Sequence, residues 1–180
     1  MTAPSDRAKE QRERILRSAQ ELLHTRGWHG VAVDDIGEAS GLTGPAIYRY
    51  FPNKQRLLSE ALGFALDQLW GSVPAGDHPG LDAYVASHID FVLENTRLVQ
   101  LWYREAQNLP PDALRSQRRM QRRYLERWVE ALTTERPDLA LTEARQMVRA
   151  AVALVHSIAH SEARSDRALL HRMAMAALAV

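Results

Sequence analysis

The sequence predicts an all-α chain of about nine helices. Apolar residues recur at helical rather than alternating intervals in nearly every segment, so no strand pattern emerges. The interruptions between these segments are short and built from Gly, Pro, Asn and Asp. There is no internal repeat and no low-complexity tract to suggest a solenoid or a disordered arm.

The first helix is read over about residues 6–25, where Ile15, Leu16, Ala19, Leu22 and Leu23 form one apolar stripe. Ser5 or Asp6 suits its N-terminus, and Gly27 lies just past its end. A short helix follows at about 33–40, stopped by Gly41, with Val33, Ile36 and Ala39 expected on its buried side. Thr43 is placed to cap the next helix, with Gly44 and Pro45 in the first turn, where a missing N–H matters little. Pro52 ends it near Tyr50. Asn53 then caps a helix running to about Trp70. The stretch "GSVPAGDHPG" at 71–80 is the clearest loop. Beyond it, helices are read near 81–95, 97–107, 112–133, 142–161 and 166–179. They are separated at Asn95-Thr96, "NLPPD", "RPDLALT" and Ser165-Asp166.

Composition narrows the classes. The 180 residues are 46% hydrophobic and 25% charged, with a net charge of +1, so a nucleic-acid surface would have to be a local patch on a neutral body. The chain has no cysteine, which removes disulfides and thiolate metal sites and fits a cytoplasmic setting. The N-terminal "MTAPSDRAKEQRERIL" has no apolar core, so a secretory signal is not expected. No apolar run approaches the ~20 residues of a membrane span. No nucleophile–base pair, carboxylate dyad or phosphate-binding glycine loop is recognisable, and neither a catalytic centre nor a cofactor is expected.

Residues 33–40 and 43–50 are two short helices joined by "SGLT", the lengths and turn chemistry of a helix-turn-helix. Ala39, Leu42, Ile47 and Phe51 would pack beneath it. Thr43, Gly44, Pro45, Ala46, Tyr48, Arg49 and Tyr50 would face outward. Small residues at the start of the second helix would let its backbone approach a DNA groove, and its N–H groups would attract phosphate. Tyr48 and Tyr50 suit phosphate, sugar or thymine-methyl contacts, Arg49 a phosphate or a guanine edge, and Lys54 a further phosphate. On spacing alone, an ordinary helix pair of an all-α protein fits as well. Arg7, Lys9 and Arg12 are either further phosphate contacts or a solvated face.

The run "GWHGVAVDDIGEASGLTGPAIYRYFPNKQRLLSEAL" at 27–62, preceded by "RERILRSAQELLHTRG", resembles the N-terminal domain of TetR-family transcriptional regulators. The resemblance covers about residues 7–62. It implies a helix-turn-helix domain at 1–52, and a ligand-binding and dimerisation bundle at 53–180. It implies a homodimer on a double-stranded DNA operator, released by a small effector. Thr43, Pro45, Tyr48, Tyr50 and Lys54 fall where the family contacts DNA, with Ala46 and Arg49 on the same side. Two departures stand out. Ala32 replaces the Thr or Ser that would cap the second helix, a loss of about 1 kcal/mol. Gly37 stands where Ala is usual, which weakens that helix by up to ~1 kcal/mol.

In the second half, Arg115, Arg118, Arg119, Arg122 and Arg123 recur at i, i+3, i+4, i+7 and i+8. They are either a solvated cationic face or partners for a carboxylate or for the phosphates of an acyl-CoA. The segment from "HIDFVLENTRLVQLWYREAQ" to "ERWVEAL" is similar to regulators of lipid or acyl-CoA metabolism, which favours a hydrophobic or acyl-CoA-like effector. Candidates to line an effector cavity are His88, Phe91, Trp102, Tyr103, Arg119 and Trp128. His156 and His160 share a helix face but lack a third ligand, so no metal site is expected. The helices at 142–161 and 166–179 expose more apolar surface than a monomer should, which predicts a four-helix dimer interface using Val152, Val155, His156, Ala159, Leu170, Met173 and Ala177. A helical ligand-binding or protein-interaction module without operator binding is the alternative.

Overall fold

A computed structural model describes residues 6–73, 79–160 and 166–179, except for the His160 side chain. The expectations placed on Ser5, on the middle of the 71–80 loop, on Ser165 and on the His160 ring lie outside the described residues. Those residues are all-helical: α1 (Asp6–Gly30), α2 (Val33–Ala39), α3 (Gly44–Ile47), α4 (Lys54–Gly71), α5 (Leu81–Glu94), α6 (Thr96–Glu105), α7 (Pro111–Glu135), α8 (Leu141–Ser157) and α9 (Arg167–Ala179). Short 3-10 turns follow α6 and α8. None of the described helices is long and apolar enough to cross a membrane.

The chain forms two compact units, Met1–Ala65 with Leu101–Arg115, and Leu66–Gln100 with Ser116–Val180. In the first, the predicted stripe of α1 is the floor of the core: Ile15, Leu16, Ala19 and Leu23 are buried, Leu22 partly so. They meet Ile36, Ile47, Phe51, Leu57, Leu58 and Leu62. Gly27 breaks the helical run with φ +70°, a conformation that side chains resist and glycine adopts freely. The carbonyls orphaned by this break are taken up by Arg104, whose guanidinium donates to the carbonyls of Leu23 (2.6 Å) and His24 (2.9 Å). Beside it the buried Glu105 accepts from Arg104 Nε (2.8 Å), Asn108 (2.9 Å) and the Trp28 N–H (3.3 Å). Both of its oxygens have donors, which is what makes a buried carboxylate tolerable.

The second unit is organised around Trp128, fully buried on α7. Tyr84, Val85, Ile89 and Val92 of α5 reach this core with Val148, Ala151 and Val155 of α8 and Ala174 and Leu178 of α9. The indole makes an edge contact with His88 (centroids 5.4 Å apart, 88°) and tilted ones with Tyr84 and Tyr124. Glu135 accepts from the N–H of Leu81 (3.0 Å), closing the first turn of α5.

Two details of α2 and α3 differ from expectation. Ala39 is exposed and Ser40 takes the buried place, its hydroxyl donating to the carbonyls of Ile36 (2.7 Å) and Gly37 (3.1 Å). Ser40 lies one turn after Ile36, to whose carbonyl its N–H bonds at 3.0 Å, so it continues the buried stripe that Ala39 leaves. Regular helix in the third element lasts only from Gly44 to Ile47, and Tyr48–Tyr50 continue as turns with bonds back to Ala46 (3.3 Å) and Ile47 (2.9 Å). The Thr43 hydroxyl caps nothing; the Thr43 carbonyl instead accepts from Ala46 (3.0 Å) and Ile47 (3.3 Å).

Candidate functional site

The outer rim of α3 is held by ties that begin on α1. Ser18 donates its hydroxyl to the Ala39 carbonyl (3.2 Å), and Gln11 donates its amide to the Ser40 carbonyl (3.3 Å). Both fix the C-terminal end of α2. At its N-terminal end Asp35 replaces the cap that Ala32 cannot supply: its carboxylate accepts from the Ala32 N–H (2.9 Å) and pairs with Arg26 (3.0 Å). The backbone bond first, and the guanidinium second, hold that carboxyl below its usual range. The "VDDI" run thus carries half of a capping box, a signal readable from an acidic residue three places after the cap position.

Between α2 and α3 the backbones nearly touch. A methyl group on Gly37 would lie 2.9 Å from the Gly44 nitrogen, 3.0 Å from the Leu42 oxygen and 3.0 Å from the Thr43 carbonyl carbon. Gly37, read above as a weakness of α2, is therefore what allows this approach. The Leu42 N–H closes the turn on the Gly37 carbonyl at 2.8 Å, with Gly41 at φ +72° between them.

This frame presents Thr43, Pro45, Tyr48 and Arg49 to solvent, with Tyr48 52% exposed. Ala46 and Lys54 are half-buried beside them. Tyr50 is turned further in than expected and packs on the core of the first unit. Gly44 is buried rather than outward. A methyl group there would fall 1.6 Å from Asp34 Oδ1, so the space beside it belongs to that carboxylate rather than to a groove. Arg12 is not a free cation either. It pairs with Glu60, which also takes Arg56 (2.6 Å), and its guanidinium lies 4.8 Å over the Phe51 ring. Arg7 and Lys9 are exposed. Asn53 caps α4 as expected, its Oδ1 accepting from the Arg56 N–H (2.7 Å), and so sets where Lys54 emerges.

The six candidate cavity residues are divided between the two units. His88, Phe91 and Trp128 are buried in the second unit, whereas Trp102 and Tyr103 belong to the first, and Tyr103 is 54% exposed. Both lie on α6, whose second half sits with the first unit, a packing choice that helical spacing does not encode. Arg119 is on the surface. In the buried set His88 Nδ1 lies 3.2 Å from the Tyr124 hydroxyl and its Nε2 3.0 Å from His156 Nε2. One proton per contact completes this chain with both rings neutral. Burial first, and the neighbouring His156 second, push the His88 pKa well below 6.5. Burial likewise raises the Tyr124 phenol. The Trp128 indole nitrogen, in the same cluster, has no hydrogen-bond partner among the described residues. Of the predicted interface residues, Val155, Ala159 and Leu170 are buried in their own subunit's core; Val152, His156 and Ala177 are half-buried, and Met173 is 45% exposed. No group of three metal-ligating side chains occurs among the described residues.

Residues 15–61 match the sequence profile of the bacterial regulatory proteins, tetR family. The HTH-type transcriptional regulator AlkX of Mycobacterium tuberculosis is 33% identical over 89 residues, which is 48% of this chain and 39% of that protein. The chain therefore matches well under half the length of that relative. AibR, solved with isovaleryl coenzyme A and operator DNA, superposes with a TM-score of 0.75 at 18% identity over 91% of this chain and 96% of that one. FadR of Bacillus subtilis, solved with stearoyl-CoA, gives 0.72 at 18% identity over 92% and 96%. At these identities the likeness is one of fold.

Proposed function

We propose, from the match of residues 15–61 to the bacterial regulatory proteins, tetR family, that this chain is a ligand-responsive, sequence-specific DNA-binding transcriptional regulator acting as a homodimer. The observation that carries the reading is the rim of Thr43, Pro45, Tyr48 and Arg49, exposed on a short element whose backbone is clamped at both ends of α2. A rigid, solvent-facing rim mixing a phenol, a guanidinium and small residues suits a major groove, where phosphate contacts set register and base contacts set sequence. Two copies related by a twofold axis would read half-sites about 34–36 Å apart on a palindromic operator.

The effector end of the reading rests on the second unit. Its buried Tyr124–His88 pair, which reaches the half-buried His156, sets polar groups in an otherwise apolar core, the chemistry of a pocket that orients a ligand. A small hydrophobic or acyl-CoA-like molecule fits it, in line with the coenzyme A esters bound by AibR and FadR. Binding there would disfavour the DNA-competent spacing by a coupling energy of about 1–3 kcal/mol, so the protein acts as a repressor released by its effector in the cytoplasm.

The test is a gel-shift titration of the purified protein on a fragment from its own promoter. Affinity should fall steeply as salt rises, because phosphate contacts release counterions. Combining Tyr48→Ala with Lys54→Ala should abolish the shift while circular dichroism and subunit mass stay unchanged. Normal operator binding by that double variant would move the reading surface elsewhere.

A further inference from the structure

We propose that a surface cleft on α7 binds a nucleotide-like polyanion, a flat heteroaromatic base carrying two or more phosphates. The cleft has a volume of about 710 Å³, the size of a small-molecule site. Arg119, Arg122 and Arg123 line it with Trp70, and all three guanidiniums are exposed with no carboxylate partner among the described residues. The two acids in the same wall are already neutralised. Glu126 is gripped by Arg145 through two bonds of 2.8 and 2.9 Å, and Glu130 pairs with Arg127 at 3.2 Å. Three positive charges within a turn of helix are thus left over.

That arrangement costs stability. Like charges three and four residues apart on a helix oppose one another. The run from Arg115 to Arg123 contains five arginines and no acid to relieve them. An anion bridging Arg119, Arg122 and Arg123 would remove the repulsion and gain charge-assisted hydrogen bonds from planar donors that match phosphate oxygens. Trp70 supplies the second half of the recognition. Its indole is braced edge-on against the Tyr124 ring (centroids 5.6 Å apart, 80°), so it forms a fixed aromatic wall beside the cations. A base can stack on such a wall while its phosphates reach the arginines. Inorganic phosphate would use only one side of the cleft.

The site deepens the effector half of the proposed function and rests on it only for what binding does, not for whether binding occurs. Calorimetric titrations of the full chain with ADP, with coenzyme A and with pyrophosphate test it. ADP and coenzyme A should each bind once per chain, weaken as salt rises and raise the melting temperature, while pyrophosphate binds about tenfold more weakly. Tighter binding of coenzyme A than of ADP would make the nucleotide the head of a larger carrier; equal binding would make it a free nucleotide. Arg119→Gln with Arg122→Gln, two exposed changes, should weaken both by about tenfold or more. Trp70→Leu should weaken both and leave pyrophosphate unaffected. The proposal is overturned if neither nucleotide binds, if the arginine variant binds them as well as the parent, if pyrophosphate matches ADP, or if phosphatidylglycerol vesicles bind the arginine face in their place. A protein that ignores nucleotides yet shifts its promoter loses this site alone; one that binds ADP but no DNA loses the regulatory reading alone.

Discussion

Replacing Gly37 by alanine separates local preference from tertiary fit. On helix propensity alone the change should stabilise α2 by up to ~1 kcal/mol. The structure predicts otherwise, because the new methyl group would meet three backbone atoms of the turn and of α3 at 2.9–3.0 Å, where ordinary contact begins at 3.4 Å. Backbone atoms cannot swing aside as a side-chain tip can, so the start of α3 must retreat by about 0.5 Å. Overpacking of this kind costs about 1–3 kcal/mol, which outweighs or cancels the propensity gain. Net stability should fall by about 0–2 kcal/mol, a drop of up to roughly 6 °C in melting temperature for a chain of this size. The sharper consequence is for operator affinity. Tyr48 and Arg49 ride on the displaced element, and DNA binding by Gly37→Ala should fall by more than stability does. Thermal unfolding and fluorescence anisotropy on the same preparation check both. A variant melting several degrees higher with unchanged operator affinity would show that α2 and α3 have room for a methyl group, and the close-approach argument would fail.

Acid should destabilise the second unit through His88. The unfolded chain takes up a proton near pH 6.5, whereas the buried ring resists protonation until well below it. Stability is therefore complete above 6.5 and is lost as pH falls, by up to ~1.4 kcal/mol per pH unit until the folded ring titrates. Chemical denaturation between neutral and acidic pH should show this slope in the parent and a flatter one in His88→Gln; equal slopes would place the titration elsewhere. Leu169 and Met173, each 45% exposed one turn apart on α9, should be covered in a dimer. Changing both to Glu removes about 1 kcal/mol of interface burial per half-exposed side chain and adds charge to the contact, so sedimentation should report a folded monomer with weakened operator binding. A dimer that survives the double change would put the interface on another face.

Much of the architecture was legible because it is local. The stripe of Ile15, Leu16, Ala19 and Leu23, the break at Gly27 and the Asn53 cap each depend on neighbours within a few residues, and propensity and capping act at that range. The exposure of Tyr48 and Arg49 follows from the same periodicity, once Ile47 and Phe51 are committed inward. Several misreadings involve partners outside the local helical turn. Arg12 looked like a free cation and is held by Glu60 and Phe51; Gly44 looked open and sits against Asp34. Trp102 and Tyr103 lie on the part of α6 that belongs to the first unit, an assignment that helical spacing does not encode.

The amino-acid order alone determined that this chain is helical throughout, where most of its helices stop and start, and that two short ones join at a glycine turn. Only the tertiary structure decided that Gly37 is a contact point, that Asp34 covers the foot of α3, and that Arg119, Arg122 and Arg123 of α7 gather around a cleft. The physical reason is range. Hydrogen bonds within a helix connect residues four apart and leave a periodic trace in the sequence, whereas steric contact and ion pairing act between residues that meet only after the chain has folded.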